Sequence, residues 1–321
     1  MPAEKRRSKT SWQNLTLQEK FQQHWETRKF EPSDLTITRF GVSFVWINTI
    51  CLVVEGFAIL LPHFFKDEIN SDTQITGLFL SKVATVYLFV GTVFQWWYLR
   101  DGSADKVSTS ATDGLSKSIV SSEGWKFCTT CKLHCPPRSH HCSLCNACIL
   151  KRDHHCFFSG SCVGYHNQRH FIIFLVYACI ASIYGVFMQG AYLKSEEGYS
   201  YFFPLLAVWR TVTRQSYLIH LILLLHLCLS ITLAVASASF ASWQVRIILK
   251  GQTSYEAMKG SIKYSKFKGD GSSEKNNKKA KKCSFYKNFE SACGTPLAFS
   301  LCLLVPVVKT KLPGDGIKWD P

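Results

Sequence analysis

Long uncharged apolar runs alternate with polar, basic stretches along the 321 residues. A helix that spans a bilayer needs roughly 20 apolar residues. Four runs reach that length, at about 41–62, 76–97, 170–193 and 218–243. Each is rich in aromatic and β-branched residues and poor in ions, so the pattern predicts an all-α membrane protein with four transmembrane helices. A soluble helical core would spread its charge more evenly. A further apolar run, Thr295–Val308, is too short to span and predicts a buried or interfacial helix against the bundle. No internal repeat stands out.

The runs divide the chain into an N-terminal arm (1–40), helices one and two (41–97), a loop (98–169), helices three and four (170–243) and a C-terminal tail (244–321). The arm starts polar and basic and lacks the short apolar run of a cleavable signal peptide, so the first run is expected to act as an uncleaved anchor. Lys and Arg number eight before the first run, one between the first two and nine between the second and third. Three lie between the third and fourth, and fifteen follow the fourth. The positive-inside rule then places arm, loop and tail together in the cytoplasm. The net charge of +15 reads as membrane-facing charge, with no nucleic-acid partner implied. Around Leu15–Trp25 the pattern fits a short helix, either resting on the membrane or simply exposed. Gly102–Gly124 reads as a linker, and 259–287 as a Lys-rich segment that is solvated or meets anionic lipid.

Eight of the 14 cysteines fall within 128–162. In a reducing compartment such density favours metal or thiol chemistry over disulfides. The order is Cys128-x2-Cys131-x9-His141-Cys142-x2-Cys145-x2-Cys148-x4-Asp153-His154-His155-Cys156-x5-Cys162. A Cys-x2-Cys knuckle supplies two of the four ligands of a tetrahedral zinc ion. His141 and Cys142 are neighbours whose side chains point apart, so they serve different ions. One site is then Cys128, Cys131, His141 and Cys148, and the other Cys142, Cys145, His155 and Cys162. Interleaved in this way, two structural zinc ions would staple a cysteine-rich domain over about 125–168 that is too poor in apolar residues to fold alone. Cys135 and Cys156 remain without a metal. Cys135 is most simply a bystander. Cys156 lies two residues from His154, a candidate base, and Asp153 can orient that ring. On spacing, a Cys–His–Asp relay and a purely structural zinc module both remain open.

The block Cys128–Phe171, with Pro136-Pro137-Arg138-Ser139-His140-His141-Cys142 and Asp153-His154-His155-Cys156, resembles the DHHC family of protein S-acyltransferases. Two spans on either side of the domain are also that family's arrangement. Thr253-Ser254-Tyr255-Glu256 looks like its Thr-Thr-x-Glu motif. Tyr286, Asn288 and Gly294 look like its aromatic–Asn element. The resemblance implies a cytoplasmic two-zinc domain between helices two and three. It also implies a ping-pong reaction in which Cys156 takes a palmitoyl or other long-chain acyl group from acyl-CoA. The group then passes to cysteines of substrate proteins at the cytoplasmic membrane face. It implies an endomembrane, ER or Golgi.

The chain departs from the pattern where Phe157-Phe158 replaces Pro-Trp and Gly160-Ser161 replaces Asn-Asn. Phe158 keeps an aromatic surface for the first acyl carbons. Cys135 stands where the family often has a base, leaving Arg138, His140, Lys151 and Arg152 to meet the CoA phosphates. The departures at 157–161 also support an alternative, a membrane scaffold whose zinc module binds partners without catalysis. His220, His226, Ser182 and Gln189 are polar residues at membrane depth, and either packing or function accounts for them.

Overall fold

A computed structural model describes residues 32–65, 72–107, 125–197, 204–213, 217–258 and 285–317. The helix expected around Leu15–Trp25, most of the linker and most of the Lys-rich 259–287 segment lie outside them.

Among the described residues, four helices are long and apolar enough to cross a membrane. Helix α1 (Pro32–Glu55) continues through a π-helical turn, Gly56–Leu60, and a last turn, Leu61–Phe64. Helix α2 is Asp72–Arg100, α3 is Gln168–Glu197 and α5 is Leu218–Leu249. A short helix, α4 (Pro204–Val212), lies between α3 and α5. Each long helix overruns its apolar run, because polar residues at its ends keep their backbone hydrogen bonds inside the helix while their side chains reach water or headgroups. Large apolar residues on the outer faces, such as Phe40, Phe79 and Val235, are more than half exposed and mark the surface that meets lipid.

Helix α3 runs through the middle, against α5 on one side and α2 on the other. Small residues set these approaches. A side chain at Gly91 of α2 would overlap the ring of Tyr177, and one at Gly185 of α3 would meet Leu52 at 2.9 Å. A buried polar network ties α1, α3 and α5 at membrane depth. Glu55 accepts from His226 Nδ1 and Gln189 Nε2, both at 2.7 Å, and His226 Nε2 lies 3.1 Å from Asn48 Oδ1. Packing and polar pairing therefore meet at His226 and Gln189.

The expectation of an all-α chain needs correction between α2 and α3. Here three two-stranded antiparallel hairpins follow one another: β1 (Lys126–Cys128) with β2 (Leu133–Cys135), β3 (His140–Cys142) with β4 (Ala147–Ile149), and β5 (His154–Cys156) with β6 (Ser161–Val163). Segments this short cannot nucleate a helix, whereas each Cys-x2-Cys knuckle closes a tight turn. The expected lack of a repeat is also corrected. The hairpins begin at 126, 140 and 154, fourteen residues apart, and so do the left-handed turn residues Lys132 (φ 57°), Asn146 (φ 46°) and Gly160 (φ 70°). The repeat hides in the sequence because only the turn geometry and part of the Cys/His set recur.

The C-terminal segment straps the domain to the bundle. Thr253 and Glu256 form a capping box at the start of α6 (Ser254–Met258): Thr253 N donates to Glu256 Oε2 at 2.9 Å and Glu256 N donates to Thr253 Oγ1 at 3.2 Å. In α7 (285–293), Asn288 Nδ2 donates to Leu249 O at the end of α5 at 3.0 Å. Tyr286, from the same aromatic–Asn element, is exposed, and Gly294 (φ 84°) makes the turn that follows. The short apolar run becomes α8 (Pro296–Leu304), whose Cys302 is buried against Ile173 and Tyr177 of α3. Beyond it, Arg169 bonds Thr310 and Tyr165 bonds Pro313, while Leu312 and Ile317 pack on the hairpins.

Candidate active site and metal centres

Directly opposed residues of an antiparallel pair project from the same face. In the second hairpin the opposed pair is His141 and Cys148, and in the third it is His155 and Cys162. Each pair turns toward the knuckle of the preceding hairpin. The ligand atoms of Cys128, Cys131, His141 and Cys148 lie within 4.8 Å of one another, and so do those of Cys142, Cys145, His155 and Cys162. His141 Nδ1 is 3.8, 3.2 and 3.9 Å from the three sulfurs of its group, and His155 Nδ1 is 3.7, 3.4 and 3.7 Å from those of its own. A tetrahedral zinc with three thiolates and one imidazole requires nitrogen–sulfur edges of about 3.6 Å. Both groups fit that metal.

The repeat explains why Cys156 stays apart. It occupies the hairpin position of the knuckle residues Cys128 and Cys142, but Ser159 stands where Cys131 and Cys145 complete those knuckles. The third knuckle has no second thiol. Cys135 also lies outside both ligand groups, buried against Cys148, Leu150 and Tyr165.

His154 and Cys156 sit two apart on β5 and so face the same side. Asp153, just before the strand, accepts from His154 Nδ1 through Oδ2 at 2.7 Å. With Nδ1 taken, Nε2 is left for the thiol. Asp153 is 1% exposed and would be costly to bury as an ion without partners. Among the described residues it has four: His154 Nδ1 and Gln244 Nε2 (2.9 Å) on Oδ2, and Ser254 N (2.7 Å) and Gln168 Nε2 (3.4 Å) on Oδ1. Burial alone would raise its pKa, but the His154 hydrogen bond and charge, with those of Ser254 and Gln244, hold it below the usual carboxylate range. Burial likewise opposes protonation of His154, yet bonds to Asp153 and Cys156 push its pKa up to about 10. The Cys156 thiol is lowered despite burial, through His154 first and Ser159 next. These shifts run in the direction that favours a charged His154 ring and a Cys156 thiolate beside a fixed carboxylate.

Cys156 opens on a cavity of about 400 Å³ between α1, α2, α3 and α5. Its lining on α1 runs from Phe44 to Leu60, about 24 Å at the helical rise of 1.5 Å per residue. The walls are mostly apolar; Ser182 is among the lining residues, and Gln189 lies toward the far end. Phe158 lies at the mouth, 47% exposed, its ring 6.4 Å from Phe44 and its carbonyl accepting from Trp96 Nε1 at 2.9 Å. That bond, with Ser161 Oγ and Asn167 Nδ2 donating to Leu99 O, fastens the third hairpin to the end of α2.

The four basic residues expected to meet CoA are placed differently from one another. Arg138 turns inward and forms a bidentate pair with Glu256, 2.7 Å from each oxygen. Lys151 is buried, and burial followed by repulsion from Arg138 pushes its pKa down to about 7. The His140 ring lies 4.0 Å from that of Tyr255, and Arg152 stands over the same ring while donating to His141 O. Spacing did not single out Gln244 or Gln168. Their only signal is an amide just outside an apolar run, a feature that most interfacial glutamines share.

Two Cys₃His groups able to hold metal ions thus carry Asp153, His154 and Cys156 on hairpins set against a cavity among helices of membrane-spanning length. Residues 121–261 match the family model described as DHHC palmitoyltransferase. The chain is 38% identical over 172 residues to Palmitoyltransferase PFA3 of Kluyveromyces lactis, covering 52% of this chain and 49% of that protein. It is 32% identical over 206 residues to Probable palmitoyltransferase ZDHHC24 of Danio rerio, covering 61% and 62%. With Palmitoyltransferase ZDHHC22 of Mus musculus the identity is 34% over 222 residues, covering 66% and 79%. The chain belongs to the DHHC palmitoyltransferase family. The match spans about half the length of the Kluyveromyces relative.

Proposed function

We propose that the chain is a protein S-acyltransferase that moves a palmitoyl or similar long-chain acyl group from acyl-CoA to cysteine thiols of membrane-associated proteins. The observation that carries this reading is the Asp153–His154–Cys156 set at the mouth of an apolar cavity about as long as such a chain. In the first step the Cys156 thiolate attacks the thioester carbonyl, and the tetrahedral adduct expels the CoA thiolate. His154 gives its proton to that leaving sulfur. In the second step a substrate thiol gives its proton to His154 and attacks the acyl-Cys156 carbonyl, restoring the Cys156 thiolate. Asp153 holds the imidazole in one tautomer and offsets its charge in both steps. Phe158 lines the path of the first acyl carbons, with His140 and Arg152 the nearest candidates for the CoA phosphates. Arg138, charge-paired with Glu256, and the buried Lys151 are less suited to meet those phosphates.

The two Cys₃His groups would each hold a zinc ion, whose contribution is to fold the hairpins that carry Cys156. The basic arm, loop and tail support a cytoplasmic face for this chemistry in an ER or Golgi membrane. The test is to incubate purified wild type and Cys156→Ser with alkyne-tagged palmitoyl-CoA and to measure zinc alongside. Label released by neutral hydroxylamine on the wild type alone, with equal zinc in both, is the expected result. A zinc-loaded wild type that takes no label overturns the proposal and favours a non-catalytic scaffold.

A further inference from the structure

Asp153 belongs to the zinc domain, yet half of its hydrogen bonds come from transmembrane helices. Gln244, in the last turns of α5, is 3% exposed and stands on the cavity wall with Cys156 and Ser254. Every group of its amide is used. Nε2 donates to Asp153 Oδ2 at 2.9 Å and to Ser254 Oγ at 3.0 Å, while Oε1 accepts from Gln168 Nε2 of α3 at 3.5 Å. Gln168 in turn reaches Asp153 Oδ1. The two glutamines therefore clasp the carboxylate from two helices, and Gln244 shares Oδ2 with the His154 ring.

We propose that Gln244 is a positioning residue for the Asp153–His154 pair, fixing the carboxylate plane so that the imidazole is aimed at Cys156. The inference rests on Cys156 being the acyl carrier. The geometry leaves little freedom for another role. Gln244 Nε2 and His154 Nδ1 approach one oxygen from different elements, so loss of the amide lets the carboxylate rotate away from the ring. Ser254 N still holds Oδ1, and that leaves a hinge. A residue whose only task was to fill space at this point would need no donor aimed at Asp153.

The test is a double-mutant cycle on the full-length, zinc-loaded protein, read as the rate of Cys156 self-acylation by palmitoyl-CoA. Gln244→Met keeps the length and removes the donor. Hydrogen bonds to charged groups are the stronger ones, so the acylation rate at saturating palmitoyl-CoA is expected to fall about ten- to a hundredfold. KM for palmitoyl-CoA should stay within about twofold, since the acyl path keeps its shape. Because Gln244 acts through Asp153, the double variant with Asp153→Asn should be no slower than Asp153→Asn alone. A general packing defect would multiply the two losses. If Gln244→Met does not retain zinc, the cycle is run with Gln244→Asn, which withdraws the amide by one methylene. Wild type that labels while Gln244→Met labels equally fast overturns the inference, and so do losses that multiply. A wild type that takes no label removes the acyltransferase reading and this inference together.

Discussion

Arg138, in the turn between the first and second hairpins, grips Glu256 with two parallel hydrogen bonds of 2.7 Å, and the two side chains are 7% and 8% exposed. Arg138 also donates to Gly251 O at 2.9 Å. Glu256 caps Thr253, and the residue that follows Thr253, Ser254, donates its N–H to Asp153. One ion pair thus links the hairpin domain to the segment that holds the Asp153 carboxylate.

Removing one partner of such a pair leaves a buried charge uncompensated, at a cost of about 3–5 kcal/mol. Arg138→Leu should therefore lower the unfolding free energy in detergent by about 3 kcal/mol and slow Cys156 acylation. A change below about 0.5 kcal/mol would mean that the pair behaves like an exposed one.

The fourteen-residue register makes a sharper prediction. Ser159→Cys would complete a third knuckle, giving Cys156 a partner thiol at the same offset as Cys131 and Cys145. In this variant Cys156 and the introduced thiol should oxidise together, and self-acylation should fall until reductant is added. Acylation equal to wild type under oxidising conditions, with both thiols free by mass spectrometry, would show that the third hairpin lacks the knuckle geometry.

Metal and fold should be separable by site. His141→Ala and His155→Ala are each expected to lose one of two zinc equivalents by elemental analysis. His155→Ala should abolish acylation outright, because His155 separates His154 from Cys156 on β5. Strong chelators should release both ions and the hairpins with them. A single equivalent in the wild type would remove the two-ion reading.

Gly91→Ala tests the bundle alone. The added methyl overlaps the Tyr177 ring, whose hydroxyl donates to Leu303 O at 2.6 Å and so helps to seat α8. Overpacking of this kind costs about 1–3 kcal/mol. The expected outcome is a lower melting temperature with zinc content unchanged; an unaltered melting curve would mean that α2 and α3 can move apart freely.

The sequence by itself determined the parts whose cause is local. Four apolar runs fix four membrane-length helices, since a bilayer accepts little else of that composition. Alternation along a strand separates His141 from Cys142 and so sorts eight ligands into two groups. Neighbouring positions make Asp153, His154 and Cys156 candidates for one relay. The tertiary structure alone decided what depends on distant partners. The hairpins follow from left-handed backbone turns that unlike residues at 132, 146 and 160 can adopt. Arg138 could face a phosphate or a carboxylate; its pairing is settled by Glu256, 118 residues away. Gln244 gains its place beside Asp153 only because α5 ends against the third hairpin. Helix ends and ligand spacing are written in short-range sterics, whereas the partner of a buried charge is set by whatever the fold brings within hydrogen-bond reach.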